Sequence, residues 1–318
     1  MNFAYLYPGQ GSQSIGMVSD LASSYSEIRQ TFEHGSDILK QNLWKIVEEG
    51  PDEELNRTEN TQPIMLCAST AIWEIWSSQF TAVPNMSAGH SFGEYSALVA
   101  ANSLEFESAL PLAKFRGQVM QEAVPEGQGA MAAILGLDNE KLAQACEDSA
   151  QGQIVQPVNY NAPGQTVIAG DADAVKRAVD ASKSAGAKRA VILPLSVPSH
   201  SSLMKPAAEK LRDYLNAVTI SPPQIDVIQN VDVNAYATDL EIKDALYRQL
   251  FNPVRWVETI QHMIGQGISA FVELGPGKVL MGLCKRIDRK VPCYCVHDVN
   301  SLEKNMENLE NTSHEVVE

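Results

Sequence analysis

An α/β fold is what this sequence predicts, on three observations. Strand-like and helix-like segments alternate through most of the chain, the pattern of a parallel sheet with crossover helices. A β-α-β-β-α-β run between residues 130 and 195 breaks into that alternation, as a ferredoxin-like unit would. The 318 residues are 44% apolar and 20% charged, enough to bury a large core and too little charge for disorder.

In chain order, residues 3–7 read as the first strand, followed by the turn Pro8-Gly9-Gln10-Gly11-Ser12-Gln13. A long helix begins near Thr61-Gln62-Pro63 and runs to about residue 79, with Pro63 at a first helical position. Its Ile64, Leu66, Ala71, Ile72, Ile75 and Trp76 recur at helical spacing. A short strand at 85–88 leads into Gly89-His90-Ser91-Phe92-Gly93 and a helix over 94–101. The helix expected over 106–123 contains Pro111, which removes a backbone donor, so it should start late or bend there.

The inserted run then reads as strand 130–135, helix 139–149, strand 154–159, a turn at Ala162-Pro163-Gly164, strand 166–169, helix 172–185 and strand 190–195. Its ends carry Pro or Gly, as the crossings of an inserted domain require. The predicted division is a discontinuous large domain, 1–126 and 197–302, around a small domain, 127–196. An acidic tail, 303–318, should fray.

Composition narrows the function. The net charge of −15 opposes nucleic acid and anionic membrane as partners, and no run of about 18 apolar residues suggests a membrane span. The first residues read as a strand and not as a signal peptide. The five cysteines show no metal-ligand spacing, and Cys293 and Cys295 fit alternate faces of a strand. Free thiols without a targeting segment place the chain in the cytoplasm. Nothing calls for a metal, a cofactor or more than a monomer.

Gly89-x-Ser91-x-Gly93, between a strand and a helix, is the nucleophile-elbow pattern. The sharp turn needs small residues where backbones pass closely. It also sets the serine at a helix N-terminus, where N–H groups can stabilise an oxyanion. That context marks Ser91 as a nucleophile, which needs a base. Of six histidines, His90 should face away because successive strand residues alternate. His34 and His314 lie in polar contexts, while His262 and His297 suit a helix and a strand end. His200, after Ser196-Val197-Pro198-Ser199, lies where the chain re-enters the large domain, a good place to hold an imidazole over a cleft. Position alone leaves it undecided.

Further motifs accompany the elbow: the 8–13 turn, Glu94-Tyr95-Ser96-Ala97-Leu98 directly after it, Arg116-Gly117, Pro198-Ser199-His200, Arg248-Gln249-Leu250 and Gly275-Pro276-Gly277. In this order, over about residues 3–290, they resemble the malonyl-CoA:acyl carrier protein transacylases of bacterial fatty acid synthesis. The resemblance implies an α/β-hydrolase-like core with an inserted ferredoxin-like domain. It implies malonyl transfer from malonyl-CoA to the phosphopantetheine thiol of acyl carrier protein through a malonyl-Ser91 ester, with His200 as base and then acid.

By the same resemblance the backbone carbonyl of Gln249 orients His200, which suits a chain where no third acidic member stands out. The backbone N–H groups of Gln10 and Phe92 hold the oxyanion, so Phe92, where leucine is commoner, alters the acyl pocket and not the chemistry. Arg116, which alone would pass for a surface charge on an amphipathic helix, binds the malonyl carboxylate through its paired donors. Carrier proteins are acidic, as this chain is, so docking needs a local basic patch; the candidates are Lys188 and Arg189, and Lys285 and Arg286 with Arg289 and Lys290, which should flank the cleft in the family's fold. The alternatives are an acyl-thioester hydrolase with the same Ser/His pair, an acyltransferase of polyketide synthesis, and a non-catalytic carrier-binding module.

Overall fold

The computed structural model describes residues 2–195 and 197–314. Strand β1 (Phe3–Tyr7) is buried along its whole length, as a central parallel strand covered on both faces should be. Helices α1 (Ser19–Ser24), α2 (Ser26–Leu39), α3 (Leu43–Glu49) and α4 (Asp52–Asn56) follow. Each hides only a narrow stripe, such as Ile28, Thr31, Phe32 and Gly35 of α2, a weak signal in sequence.

Helix α5 (Thr58–Gln79) starts earlier than predicted, so Pro63 sits in its second turn and not at its first position. The absent N–H leaves one carbonyl, that of Glu59, without its helical partner. Strand β2 (Met86–Gly89) and helix α6 (Gly93–Ala100) follow. Helix α7 (Phe106–Ala123) starts before Pro111 and continues through it, so the late start expected there does not occur. The carbonyl freed there belongs to Glu107, which is exposed to water. Burial of Leu110, Leu112, Ala113 and Arg116 outweighs one lost bond worth about 1 kcal/mol.

The inserted run forms β3 (Gly129–Leu135), α8 (Asn139–Ala150), β4 (Val155–Ala162), β5 (Gln165–Asp171), α9 (Ala172–Ser184) and β6 (Arg189–Ile192). Its antiparallel sheet has the order β4-β5-β3-β6. Both helices cover one face, with Leu142 and Val175 packed in one cluster with Ala132, Ile134 and Ile168 of the sheet. Met131, Val158, Val167 and Ala169 lie on the other.

The chain continues with α10 (Lys205–Leu215), β7 (Asp226–Gln229), β8 (Asn234–Ala235), α11 (Asp239–Gln249), α12 (Trp256–Gly265), β9 (Ala270–Leu274), α13 (Val279–Ile287), β10 (Cys293–Val296) and α14 (Val299–His314). The larger sheet runs β10-β9-β1-β2-β7-β8, parallel except for β8. From β1 the chain goes to β2 on one side and later to β9 on the other. That makes the carboxyl ends of these strands a topological switch point, where ligands bind in such sheets. Backbone bonds of Val254 to Val158 and Tyr160 fasten edge strand β4 to the loop before α12.

The tail expected to fray from 303 is helical through His314. Leu302 and Leu309 are buried, with Met306 packed against the same core. Their spacing is a helical stripe masked by the acidic residues between them. Residues 315–318 lie outside the described residues.

Candidate active site

Strand β2 ends at Gly89 and α6 begins at Gly93, so the chain reverses within three residues. At the apex Ser91 has φ +54°, a left-handed conformation costing a non-glycine residue roughly 1–2 kcal/mol. The flanking glycines are required by contact. A Cβ on Gly89 would lie 1.8 Å from the Gly93 carbonyl carbon, and one on Gly93 would lie 2.1 Å from the Tyr7 oxygen.

Ser91 Oγ lies 2.6 Å from His200 Nε2. His200 Nδ1 donates to the Gln249 backbone carbonyl at 2.8 Å, which fixes the tautomer and leaves Nε2 as the acceptor. The His200 N–H donates to Leu250 O at 3.0 Å, so the histidine turn is pinned to the end of α11. Burial, and then the Arg116 charge, push the imidazole down to about 3. It is therefore neutral near pH 7 and able to take a proton.

Gln10 and Phe92 both line the cleft that holds Ser91 and His200. Their backbone N–H groups meet no acceptor among the described residues. The Ser91 N–H, by contrast, donates to Asn230 Oδ1 at 2.7 Å. The Phe92 ring stacks on Tyr95 at 5.2 Å.

Arg116 rises from α7 into the same cleft and is 1% exposed. One guanidinium nitrogen donates to Gln249 Oε1 at 2.9 Å, and the group lies over the rings of Tyr95 and Phe92. Its Nε has no partner. Burial lowers its pKa from the usual arginine value, yet an arginine stays charged in such sites. A buried cation with unused donors fits an anionic ligand, and a planar fork fits a carboxylate.

His90 also lines the cleft, where its Nε2 lies 2.7 Å from Asn161 Oδ1 and its ring stands edge-on to Trp256, while Ser91 pairs with His200. Lys188 and Arg189 lie at the start of β6, and Lys285 and Arg286 in the last turn of α13. All four are exposed and none lines the cleft. Arg286 donates to Gln165. Gln165 and Arg189 flank Leu135 in the small sheet, so Arg286 reaches the same end of that sheet at which Arg189 lies.

Sequence reasoning missed Asn230, Asn161, the buried Glu94 carboxyl and the side-chain role of Gln249. The cue for Asn230 was the polar run Gln229-Asn230-Val231-Asp232 at a strand's carboxyl end.

A nucleophile elbow with its histidine, on a parallel sheet interrupted by an antiparallel one, defines an acyl-transfer enzyme of the serine class. The chain belongs to the family described as the acyl transferase domain, whose profile matches residues 4–313. The malonyl CoA-acyl carrier protein transacylase of Escherichia coli K12 is 53% identical over 285 residues, 90% of this chain and 92% of that protein. The Bacillus subtilis protein of the same name is 44% identical, with 96% of each chain covered. Among solved structures, an acyl carrier protein S-malonyltransferase from Vibrio cholerae superposes with a TM-score of 0.92 at 53% identity, covering 96% of this chain and 99% of that one. A malonyl-transacylase in complex with its type II PKS acyl-carrier protein gives 0.95 at 52%, covering 97% and 100%.

Proposed function

We propose that this chain moves malonyl groups from malonyl-CoA to the phosphopantetheine thiol of acyl carrier protein, supplying fatty acid synthesis in the cytoplasm. Ser91 Oγ attacks the thioester carbonyl as His200 Nε2 takes its proton. The oxyanion is held by the N–H groups of Phe92 and Gln10. Collapse expels the coenzyme A thiol, which leaves with the proton from His200. The carrier thiol then enters, gives its proton to His200 and attacks the malonyl-Ser91 ester, and Ser91 recovers its proton. The chain's own residues carry every step, and malonyl-CoA is a substrate, not a cofactor.

The observation that carries this reading is Arg116, buried without an ion pair among the described residues and sharing the cleft with Ser91 and His200. A malonyl carboxylate satisfies it. An acetyl group would leave it desolvated and unpaired, at a cost of roughly 2–3 kcal/mol or about a hundredfold in rate. Exposed Lys188, Arg189, Lys285 and Arg286 supply the local positive charge that an acidic carrier needs against a net charge of −15. The small antiparallel unit contributes a wall of the cleft through Met131 and Asn159.

The test is malonyl transfer from malonyl-CoA to a phosphopantetheinylated carrier, beside the Arg116→Ala variant and with acetyl-CoA competing. Transfer by the parent enzyme and loss of malonyl preference in the variant are expected. Release of free malonate, or indifference to the substitution, would favour a hydrolase.

A further inference from the structure

Asn230, the first residue after β7, stands opposite the nucleophile elbow. The β2–β7 ladder pairs Ala88 with Ile228, so two residues further Asn230 comes level with His90. Asn230 is fully buried, and each of its polar groups has a partner. Its Oδ1 accepts the Ser91 N–H at 2.7 Å and its Nδ2 donates to the Gly89 carbonyl at 2.9 Å. Its backbone N–H donates to a Glu94 carboxyl oxygen at 2.5 Å, and its carbonyl accepts the Arg255 N–H at 3.3 Å. Three of these partners belong to the turn itself: the end of β2, the apex and the first turn of α6.

This set of contacts is specific to an asparagine. A leucine would fill the space, and an aspartate would offer acceptors but no donor for Gly89. A glutamine carries both groups but is one methylene longer. The contacts also act where the backbone is strained, because Ser91 keeps φ +54° only if its surroundings hold it there. With its N–H engaged by Asn230, Ser91 cannot itself donate to an oxyanion, and the elbow's free donor is the next one, that of Phe92.

We infer that Asn230 is a positioning residue for acyl transfer: its one amide grips the Ser91 N–H and the Gly89 carbonyl, fixing the turn that aims Oγ at His200. Packing alone would require neither bond. The inference rests on Ser91 being the nucleophile, as in the function proposed above, but not on malonyl being the group transferred.

The experiment compares the parent enzyme with Asn230→Ala and Asn230→Asp. One readout is kcat and KM for malonyl transfer to the carrier. The other is the rate at which a fluorophosphonate probe labels Ser91, where Oγ bonds to phosphorus, fluoride leaves and His200 takes the proton. Melting temperatures identify the folded variants. Asn230→Ala is expected to lose about a hundredfold in kcat and in labelling, the scale of a misplaced catalytic group, with KM for malonyl-CoA within about threefold. Asn230→Asp keeps the acceptor for Ser91 and should lose about tenfold. A folded variant that keeps kcat and labelling within about twofold, or whose whole loss lies in KM, overturns the inference. If the alanine variant does not fold, the near-isosteric aspartate variant decides. A parent enzyme that is labelled yet transfers no malonyl would refute the substrate reading, and the labelling ratios would still decide the role of Asn230.

Discussion

Arg116, which lines the cleft, donates from its guanidinium to the Gln249 amide oxygen at 2.9 Å. The same glutamine holds His200 through its backbone carbonyl and donates from Nε2 to the Ser91 carbonyl at 2.9 Å. One residue thus joins Arg116, His200 and Ser91. Gln249→Leu separates these roles, since the backbone carbonyl stays and both side-chain bonds go. Malonyl turnover should fall about tenfold, and with it the preference over acetyl, because the guanidinium is no longer aimed. The acid limb of the pH profile should not move, as His200 keeps its partner. Competing rates with malonyl-CoA and acetyl-CoA, taken across pH, check both statements.

The position of that acid limb is itself a prediction. His200 is pushed down to about 3 by burial and by the Arg116 charge. The base should therefore stay neutral well below the ordinary histidine value of 6.5, and kcat/KM should be flat from neutral pH to about 5. A bound malonyl carboxylate offsets the Arg116 charge, which removes part of the downward push. The limb in kcat should then lie at higher pH than the limb in kcat/KM. A kcat/KM limb near 6.5 would mean that solvent reaches His200 in the free enzyme.

How much of this could be read from the sequence follows from the range of each interaction. The elbow was legible because its glycines, serine, strand and helix are contiguous. Ser91 and His200 are separated by 109 positions and Ser91 and Asn230 by 139, so no local pattern joins them. His200, Gln249 and Arg116 came from resemblance, not from spacing. Asn230 lay hidden because β7 has only four residues and follows Pro222-Pro223. Helices α5 and α7 ran against the proline rules for the reason that makes those rules weak, since tertiary burial outweighs a single missing donor. The two basic clusters were legible as charges, but that Arg286 and Arg189 lie at one end of the small sheet depends on the register of β3 with β5 and β6.

The glycine contacts predict a sharp asymmetry between substitutions in the elbow. Gly89→Ala would place a Cβ against the Gly93 backbone, which cannot give way as the end of a side chain could. Loss of at least about 3 kcal/mol of stability is expected, in line with severe overpacking. Ser91→Ala removes only the hydroxyl and should leave the melting temperature within a few degrees while abolishing acyl-enzyme formation. Thermal melts paired with mass spectrometry after incubation with malonyl-CoA separate the two effects.

Glu94 offers a test of the buried network through pH. Its carboxyl is wholly buried, and desolvation raises it from 4.5 to about 8 despite the Asn230 N–H that favours the charged form. The native state therefore holds this proton more tightly than the unfolded chain does. Stability from that proton is complete below about pH 4.5 and is lost as pH rises toward 8, by at most about 1.4 kcal/mol per pH unit. Glu94→Gln keeps an oxygen for the Asn230 N–H and carries no titrating proton. Any packing cost of the amide is constant with pH, and the contribution of His200, which weakens as pH falls below 6.5, is common to both proteins. In urea denaturation the variant should gain on the parent between pH 5.5 and 8.5. A stability difference that stays constant across that window would place the Glu94 titration outside it.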